Sequence, residues 1–165
     1  MLLSGVADQA RSSAGTSRWL VARCGDLTVG LAARQAREVL EASALTRLPG
    51  ARAAVGIMSL RGRIVPVFAL DRLLGAGDRS VVGLPVVVVE VAGRSAGLIV
   101  DRVVTVVAAS VNAAASTEAL PTGATGTGRY AGGTFIGLDA AVLLQDGFRT
   151  RQANTESDRE WHARS

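Results

Sequence analysis

The fold of this chain is decided by the stretch Gly56-Ile57-Met58-Ser59-Leu60-Arg61-Gly62-Arg63-Ile64-Val65-Pro66-Val67-Phe68-Ala69-Leu70-Asp71. Its second half, residues 64–70, is rich in Val and Ile, whose stiff side chains pack well on a pleated surface, so a strand is predicted there. Gly62 suits a tight turn before that strand, because glycine adopts positive φ without a Cβ clash. Pro66 cannot donate to a ladder and is expected at a sheet edge or a bulge.

The same stretch resembles the motif of a known family. Residues 60–67, Leu-Arg-Gly-Arg-Ile-Val-Pro-Val, are similar to the Asn-Leu-Arg-Gly-x-x-x-Pro-Val motif of the CheW family, which are adaptor proteins of bacterial chemotaxis. Ser59 stands where the family usually has Asn. Ala69 stands where it usually has Asp before Leu70, although an acid follows at Asp71.

Further segments resemble the same family in the expected order. Residues 36–39, Ala-Arg-Glu-Val, are similar to Val-x-Glu-Ile with Ala36 in place of Val, and residues 45–49 are similar to the family's next segment. The family pattern Gly-x-x-Val-Asp-x-Val-x-x-Val is met in full by Gly97, Val100, Asp101, Val103 and Val106. Its closing Leu-Asp-x-x-x-Leu-Leu is approximated by Leu138, Asp139, Leu143 and Leu144.

Length and composition indicate one domain with an aliphatic core. The chain has 165 residues, of which 48% are hydrophobic but only 4% aromatic, so the core must be built from Val, Leu, Ile and Ala. No apolar run approaches the ~20 residues that span a membrane, and no secretory signal is evident, so we expect a cytoplasmic protein without direct membrane insertion. The single cysteine, Cys24, permits no internal disulfide and fits that compartment.

The charge pattern argues against a nucleic-acid partner. All 18 basic residues are Arg, the net charge is +4, and the arginines are scattered one by one along the chain. A nucleic-acid groove requires a clustered basic face with interleaved aromatic residues. A nucleic-acid-binding small barrel remains the alternative from a different class, and salt-dependent retention on DNA would support it.

Enzyme chemistry has little support in the sequence. The only histidine, His162, lies in the C-terminal tail, so the folded part can assemble no Ser-His-Asp or Cys-His arrangement and no transition-metal cluster. The glycines of residues 123–128 lack the lysine and the strand–loop–helix context of a phosphate loop. We therefore predict a binding module without catalytic residues, metal or cofactor.

The strand pattern predicts an all-β fold. Short apolar runs separated by turn residues form three hairpins, at residues 19–31, 84–101 and 129–138, which is typical of a β-barrel. Residues 32–41 fit an amphipathic helical turn, or, by the resemblance, a helical corner that leads into a strand. Residues 71–75 fit one helical turn ended by glycine. Asp139 is predicted to cap a final helix, and residues 108–128 to form a flexible linker.

The resemblance implies two small five-stranded SH3-like β-barrels packed side by side, with short helical turns. It places a flexible N-terminal tail at residues 1–17, a CheW-like domain at 18–145 and a polar C-terminal tail at 146–165. Within the domain, the first barrel is expected at about residues 18–83 and the second at about 84–145.

The resemblance also implies the function and its partners. CheW proteins couple the cytoplasmic tips of chemoreceptors, the methyl-accepting chemotaxis proteins, to the regulatory domain of the histidine kinase CheA. Localisation would be cytoplasmic, in arrays near the membrane. A CheW-like scaffold of a kinase array outside chemotaxis, in motility or gene regulation, remains open because it would share the fold and motifs.

The resemblance carries partner-binding positions onto both barrels. In the first barrel these are Ala36, Glu38, Val39, Gly56, Arg61 and Gly62; in the second they are Val86, Val87, Gly97, Val103 and Val106. The alternative for each valine is a plain core position, while positions between the barrels can line a groove for a receptor helix. Arg61 offers a planar fork to a carboxylate, so an ion pair with Glu38 is expected to hold this surface in shape.

Overall fold

The strands of the protein coincide with its β-branched runs. The computed structural model describes residues 15–42, 45–48, 54–75, 81, 83–113, 120–145 and 148. Its strands are β1 (Ser17–Cys24), β2 (Leu27–Ala32), β3 (Ala36–Glu41), β4 (Thr46–Arg47), β5 (Ala54–Leu60), β6 (Arg63–Ala69), β7 (Pro85–Val91), β8 (Arg94–Ile99), β9 (Arg102–Ala109), β10 (Ala124–Tyr130) and β11 (Gly133–Leu138). Two short helices are described, α1 (Leu70–Leu73) and α2 (residues 140–145). The predicted all-β class is confirmed.

The strands form two sheets that do not follow the expected sequential division. Sheet 1 has the order β10-β11-β2-β1-β9, and sheet 2 has the order β3-β7-β8-β6-β5-β4. Sheet 1 therefore takes strands from both ends of the domain, and sheet 2 takes the middle. The expected boundary at residues 83 and 84 is wrong, because β1 pairs on one side with β2 and on the other, along its length, with β9 from the second half of the domain. Sheet 2 also has a sixth, two-residue strand.

The three predicted hairpins are present, and the predicted linker is partly strand. The β1–β2, β7–β8 and β10–β11 pairs are all antiparallel neighbours. Residues 108–128 were expected to be a flexible linker, but β9 continues to Ala109 and β10 begins at Ala124. A bridge between Asn112 and Thr127 also joins the segment after β9 to β10. Small residues are compatible with these strands because larger side chains pack over them. The ring of Phe135, for example, lies over Gly128.

Three clusters of buried side chains make up the core. A sheet 1 cluster and a sheet 2 cluster each line one sheet, and a central cluster lies between the two sheets. The central cluster comprises Leu20, Ala22, Cys24, Val29, Leu31, Phe68, Leu70, Val87, Val89, Ala96, Leu98, Val100, Leu138, Ala140, Leu143 and Leu144. Strand β7 is buried on both faces, since Val86 belongs to the sheet 2 cluster and Val87 to the central one. This explains its uninterrupted run of valines.

Pro66 lies inside sheet 2 without breaking its ladder. Strand β6 is flanked by β5 on one side and β8 on the other. Its parallel pairing with β8 covers only Val67 to Ala69, so Pro66 lies where that side of the strand has no neighbour. The missing N–H therefore removes no β6–β8 hydrogen bond, and the proline sits at a local edge, as predicted.

The domain extends beyond its expected C-terminal boundary at residue 145. The predicted cap of α2 is present, because the Asp139 Oδ1 accepts the Ala141 N–H at 2.8 Å. Phe148 packs against the central cluster, with its ring 6.4 Å from that of Phe68 and 5.5 Å from the Arg94 guanidinium.

The remaining parts of the two expected tails, residues 1–14 and the rest of 146–165, lie outside the described residues. In the described segments, no helix is long and apolar enough to cross a membrane.

The central cluster is expected to dominate stability. Leu98 is fully buried in it, whereas Ile64 on the neighbouring strand is 65% exposed. Leu98→Ala should lower the free energy of unfolding by about 2–5 kcal/mol, and the control Ile64→Ala by no more than about 0.5 kcal/mol. Chemical denaturation followed by circular dichroism measures both, and equal losses would contradict the assignment of Leu98 to the core.

The central cluster should also make the two sheets unfold together. Trp19 lies in the sheet 1 cluster and reports on sheet 1, while Leu98 lies on a strand of sheet 2. In a Trp161→Phe background, we expect Leu98→Ala to shift the Trp19 fluorescence transition to the same lower denaturant concentration as the circular dichroism transition. A fluorescence midpoint that stays at the wild-type value would show that the sheets unfold independently.

Candidate protein-binding site

The tip of the β5–β6 hairpin carries the arginine that the sequence singled out. Arg61 and Gly62 both have positive φ, 48° and 78°, as the central residues of a two-residue hairpin turn require. Glycine adopts this conformation freely, but for arginine it is unfavourable by about 1–2 kcal/mol. The turn conformation therefore does not favour an arginine at this position, and any role of Arg61 must come from its side chain.

The predicted ion pair between Arg61 and Glu38 is present. The Arg61 Nη2 donates to the Glu38 Oε2 at 3.2 Å. Glu38 lies on β3, the terminal strand of sheet 2, so the pair connects that edge to the β5–β6 hairpin, from which β7 and β8 separate it in the sheet order. The Arg61 side chain is 79% exposed and that of Glu38 23%. The pair therefore contributes only about 0–1 kcal/mol to stability, and its geometry matters more than its energy.

A second ion pair, which the sequence did not indicate, lies beside the first. The Arg37 Nη2 contacts the Glu90 Oε1 at 3.1 Å, joining β3 to β7. Only the antiparallel pairing of β3 with β7 brings these two residues together.

The two ion pairs border one open pocket of about 430 Å³ on sheet 2. Its lining comes from β3, the β5–β6 hairpin, β7 and β8, and comprises Arg37, Glu38, Leu60, Arg61, Arg63, Val88, Glu90 and Ser95. Three guanidinium groups and two carboxylates thus surround the pocket. This cluster, called the arginine pocket below, has the mixed charge of a protein-contact surface and lacks the uniformly basic character of a phosphate site.

Four of the predicted contact positions are buried. Val86 and Val87 are both 0% exposed, so a direct contact of their side chains with a partner is wrong, and the core interpretation of these valines is confirmed. Gly97 is required for packing, because a Cβ there would lie 2.6 Å from the Val86 Cγ1. A Cβ on Gly56 would collide with the Thr46 carbonyl oxygen. These positions can affect a partner only through the shape of sheet 2.

The other predicted positions are partly buried or exposed. Val39 on β3 is 44% exposed and Val106 on β9 is 50% exposed. Gly62 is also exposed, whereas Ala36 and Val103 are partly buried against the central cluster. Val106 lines a second open pocket, of about 480 Å³, with Ser17, Arg18, Ala32, Ala33 and Arg34. The structure thus brings Glu38 and Arg61 together, and it places Val39 and Val106 on different sheets.

The departure of Ala69 from the family motif has a visible local consequence. Ala69 occupies the N-cap position of α1, where no side chain accepts a hydrogen bond from the helix. The Asp usual in the family could provide such a cap. Here Ala69 is buried in the sheet 2 cluster, and the Asp71 Oδ1 instead accepts the Arg72 N–H at 2.8 Å.

Signs of a metal or phosphate site are missing from the described residues. They contain no group of three or more His, Cys, Asp or Glu side chains that could hold a metal ion. Gly126 and Gly128 serve packing, since a Cβ on the first would collide with the Asn112 backbone and on the second with the Phe135 ring. The glycines of this segment therefore act in packing.

The exposure of the Arg61–Glu38 pair predicts a small effect on stability. We expect Arg61→Gln and Glu38→Gln each to change the free energy of unfolding by less than about 1 kcal/mol, with a coupling energy no larger. A double-mutant cycle by chemical denaturation measures this, and the coupling should shrink at high salt. A coupling of 3 kcal/mol or so would instead be typical of a buried pair and would contradict the exposure of Arg61.

Comparisons with known proteins agree with the fold and the motifs. The CheW-like domain family model matches residues 18–148. Fifteen chains of solved structures are similar, among them the crystal structure of the scaffolding protein CheW from Thermoanaerobacter tengcongensis, at a TM-score of 0.70 and 25% sequence identity. That match covers 79% of this chain and 93% of the other. Among curated proteins no sequence matches. The chain belongs to the CheW family of adaptor proteins.

Proposed function

We propose that this protein couples chemoreceptors to the histidine kinase CheA in the cytoplasm. The observation that carries the proposal is the family match over residues 18–148, together with a solved scaffolding protein of the same fold along 93% of its length. A scaffold of this kind acts by holding two partners at a fixed distance and orientation. It requires a rigid body with separate exposed contact surfaces.

The two sheets supply such surfaces on one rigid body. Sheet 2 presents the arginine pocket and the exposed Val39, and sheet 1 presents Val106 beside Arg18 and Arg34. The central cluster between the sheets keeps these surfaces at a fixed relative position. Exposed aliphatic side chains rimmed by charges are typical of protein–protein contact sites. We infer that these two surfaces, one on each sheet, contact the two partners.

Val106 is the sharpest test of this proposal, because it is exposed and lies on an edge strand. We expect Val106→Glu to fold normally and to weaken binding to at least one partner by tenfold or more, since a charge would be desolvated in an apolar contact. Titration calorimetry measures this with the regulatory domain of a CheA kinase and a chemoreceptor cytoplasmic fragment from the same organism. The matched control is Val142→Glu on α2, where the valine is 41% exposed.

Val103, three residues away, should behave differently. Its side chain packs against the central cluster, so Val103→Glu is expected to destabilise the fold by about 1–3 kcal/mol. Thermal denaturation separates this loss from a loss of binding. If Val106→Glu and Val142→Glu bound both partners as the wild type does, sheet 1 would be excluded as a contact surface at β9. If the wild type bound neither partner, the proposed function itself would be overturned.

A further inference from the structure

Arg63 is the one guanidinium of the arginine pocket that the described residues leave without a carboxylate. The two glutamates of the pocket are each engaged, Glu38 with Arg61 at 3.2 Å and Glu90 with Arg37 at 3.1 Å. Neither of these ion pairs includes Arg63, which is exposed. The pocket therefore holds three positive and two negative side chains, a local excess of a single positive charge.

Ile64, the next residue, is the most exposed of the large hydrophobic side chains in the described part of the chain, at 65%. Its exposure follows from the sheet topology. Strand β8 pairs with β6 only from Val67 to Ala69, so residues 63–66 extend beyond the β8 pairing. On the other side, Ile64 is opposite Ser59, whose short side chain does not cover it. An unpaired charge and an uncovered aliphatic side chain thus occupy consecutive positions on the outer part of β6, and they point to opposite faces of the strand.

We propose that Arg63 and Ile64 form a specificity-determining contact for an acidic segment of a partner protein. The segment would run in extended form along the part of β6 that β8 leaves unpaired, with a carboxylate against the Arg63 guanidinium on one face and, at the next position, an aliphatic side chain against Ile64 on the other. This proposal rests on the proposed adaptor function and names the chemistry of the partner at that site. Both residues follow the two-residue turn at Arg61 and Gly62, so their side chains can set the partner contact without taking part in the turn.

The net charge of the arginine pocket favours a carboxylate over a phosphate as the group that is recognised. A phosphate carries about two negative charges and would meet the carboxylates of Glu38 and Glu90 in the same pocket. A single carboxylate instead matches the excess of one positive charge and can accept two parallel hydrogen bonds from the planar guanidinium. The exposed Arg61 side chain lies next to the same site and adds to the attraction without leaving Glu38.

The test compares variants at these two positions with matched variants elsewhere. Arg63→Glu and Arg63→Gln are compared with Arg129→Glu, an exposed arginine on β10, and Ile64→Ser is compared with Val142→Ser. Each full-length variant is titrated with the kinase regulatory domain and with the receptor cytoplasmic fragment, at low and at physiological salt. Circular dichroism confirms folding, which these exposed substitutions should leave unchanged.

We expect Arg63→Glu to weaken binding to one partner by at least tenfold and Arg63→Gln to weaken it less. The salt dependence of that affinity should decrease in both variants, because the screened attraction has been removed. Ile64→Ser should weaken binding to the same partner, and both controls should bind as the wild type does. Wild-type affinity in the Arg63 and Ile64 variants would overturn this inference while leaving the adaptor function intact. Failure of the wild type to bind either partner would overturn the adaptor function and this inference with it.

Discussion

The burial of one aliphatic cluster between two sheets is the constraint on which this structure depends. The central cluster takes side chains from β1, β2 and β11 of sheet 1, from β6, β7 and β8 of sheet 2, and from both short helices. Neither sheet can bury both of its faces alone, since each has its own cluster on one side only. Because aromatic residues make up only 4% of the chain, this burial relies on many closely packed Val, Leu and Ala side chains.

The same constraint separates structural positions from contact positions. Residues that face the central cluster or the sheet 2 cluster, such as Val86, Val87 and Gly97, are unavailable to a partner. They set the spacing of the strands that carry the exposed residues. The ion pair of Arg61 with Glu38 lies at the border of this interior, where it joins the β5–β6 turn to the terminal strand β3. A rigid interior with charged and aliphatic side chains at its rim is what an adaptor requires, because its partners must be held in one relative orientation.

The candidate site could be predicted in part, and the errors have physical reasons. The pairing of Arg61 with Glu38 followed from the chemistry of an arginine inside an apolar motif and from an acid in the matching segment. The contacts assigned to Val86 and Val87 were wrong because a strand buried on both faces shows no alternation that would reveal which valine faces outward. Arg37, Glu90 and Phe148 were missed, since their neighbours are distant in sequence and no local pattern marks them.

The sequence by itself determined the all-β class, the three hairpins, the helix cap at Asp139 and the tight turn at Gly62, because these depend on side-chain stiffness, turn chemistry and hydrogen bonds between near neighbours. The tertiary structure decided which sheet each strand joins. The β1–β9 pairing and the parallel β2–β11 and β6–β8 pairings connect segments that no turn links. Such pairings are selected by the burial of the central cluster as a whole, so the division of the chain between two sheets cannot be read from any single segment.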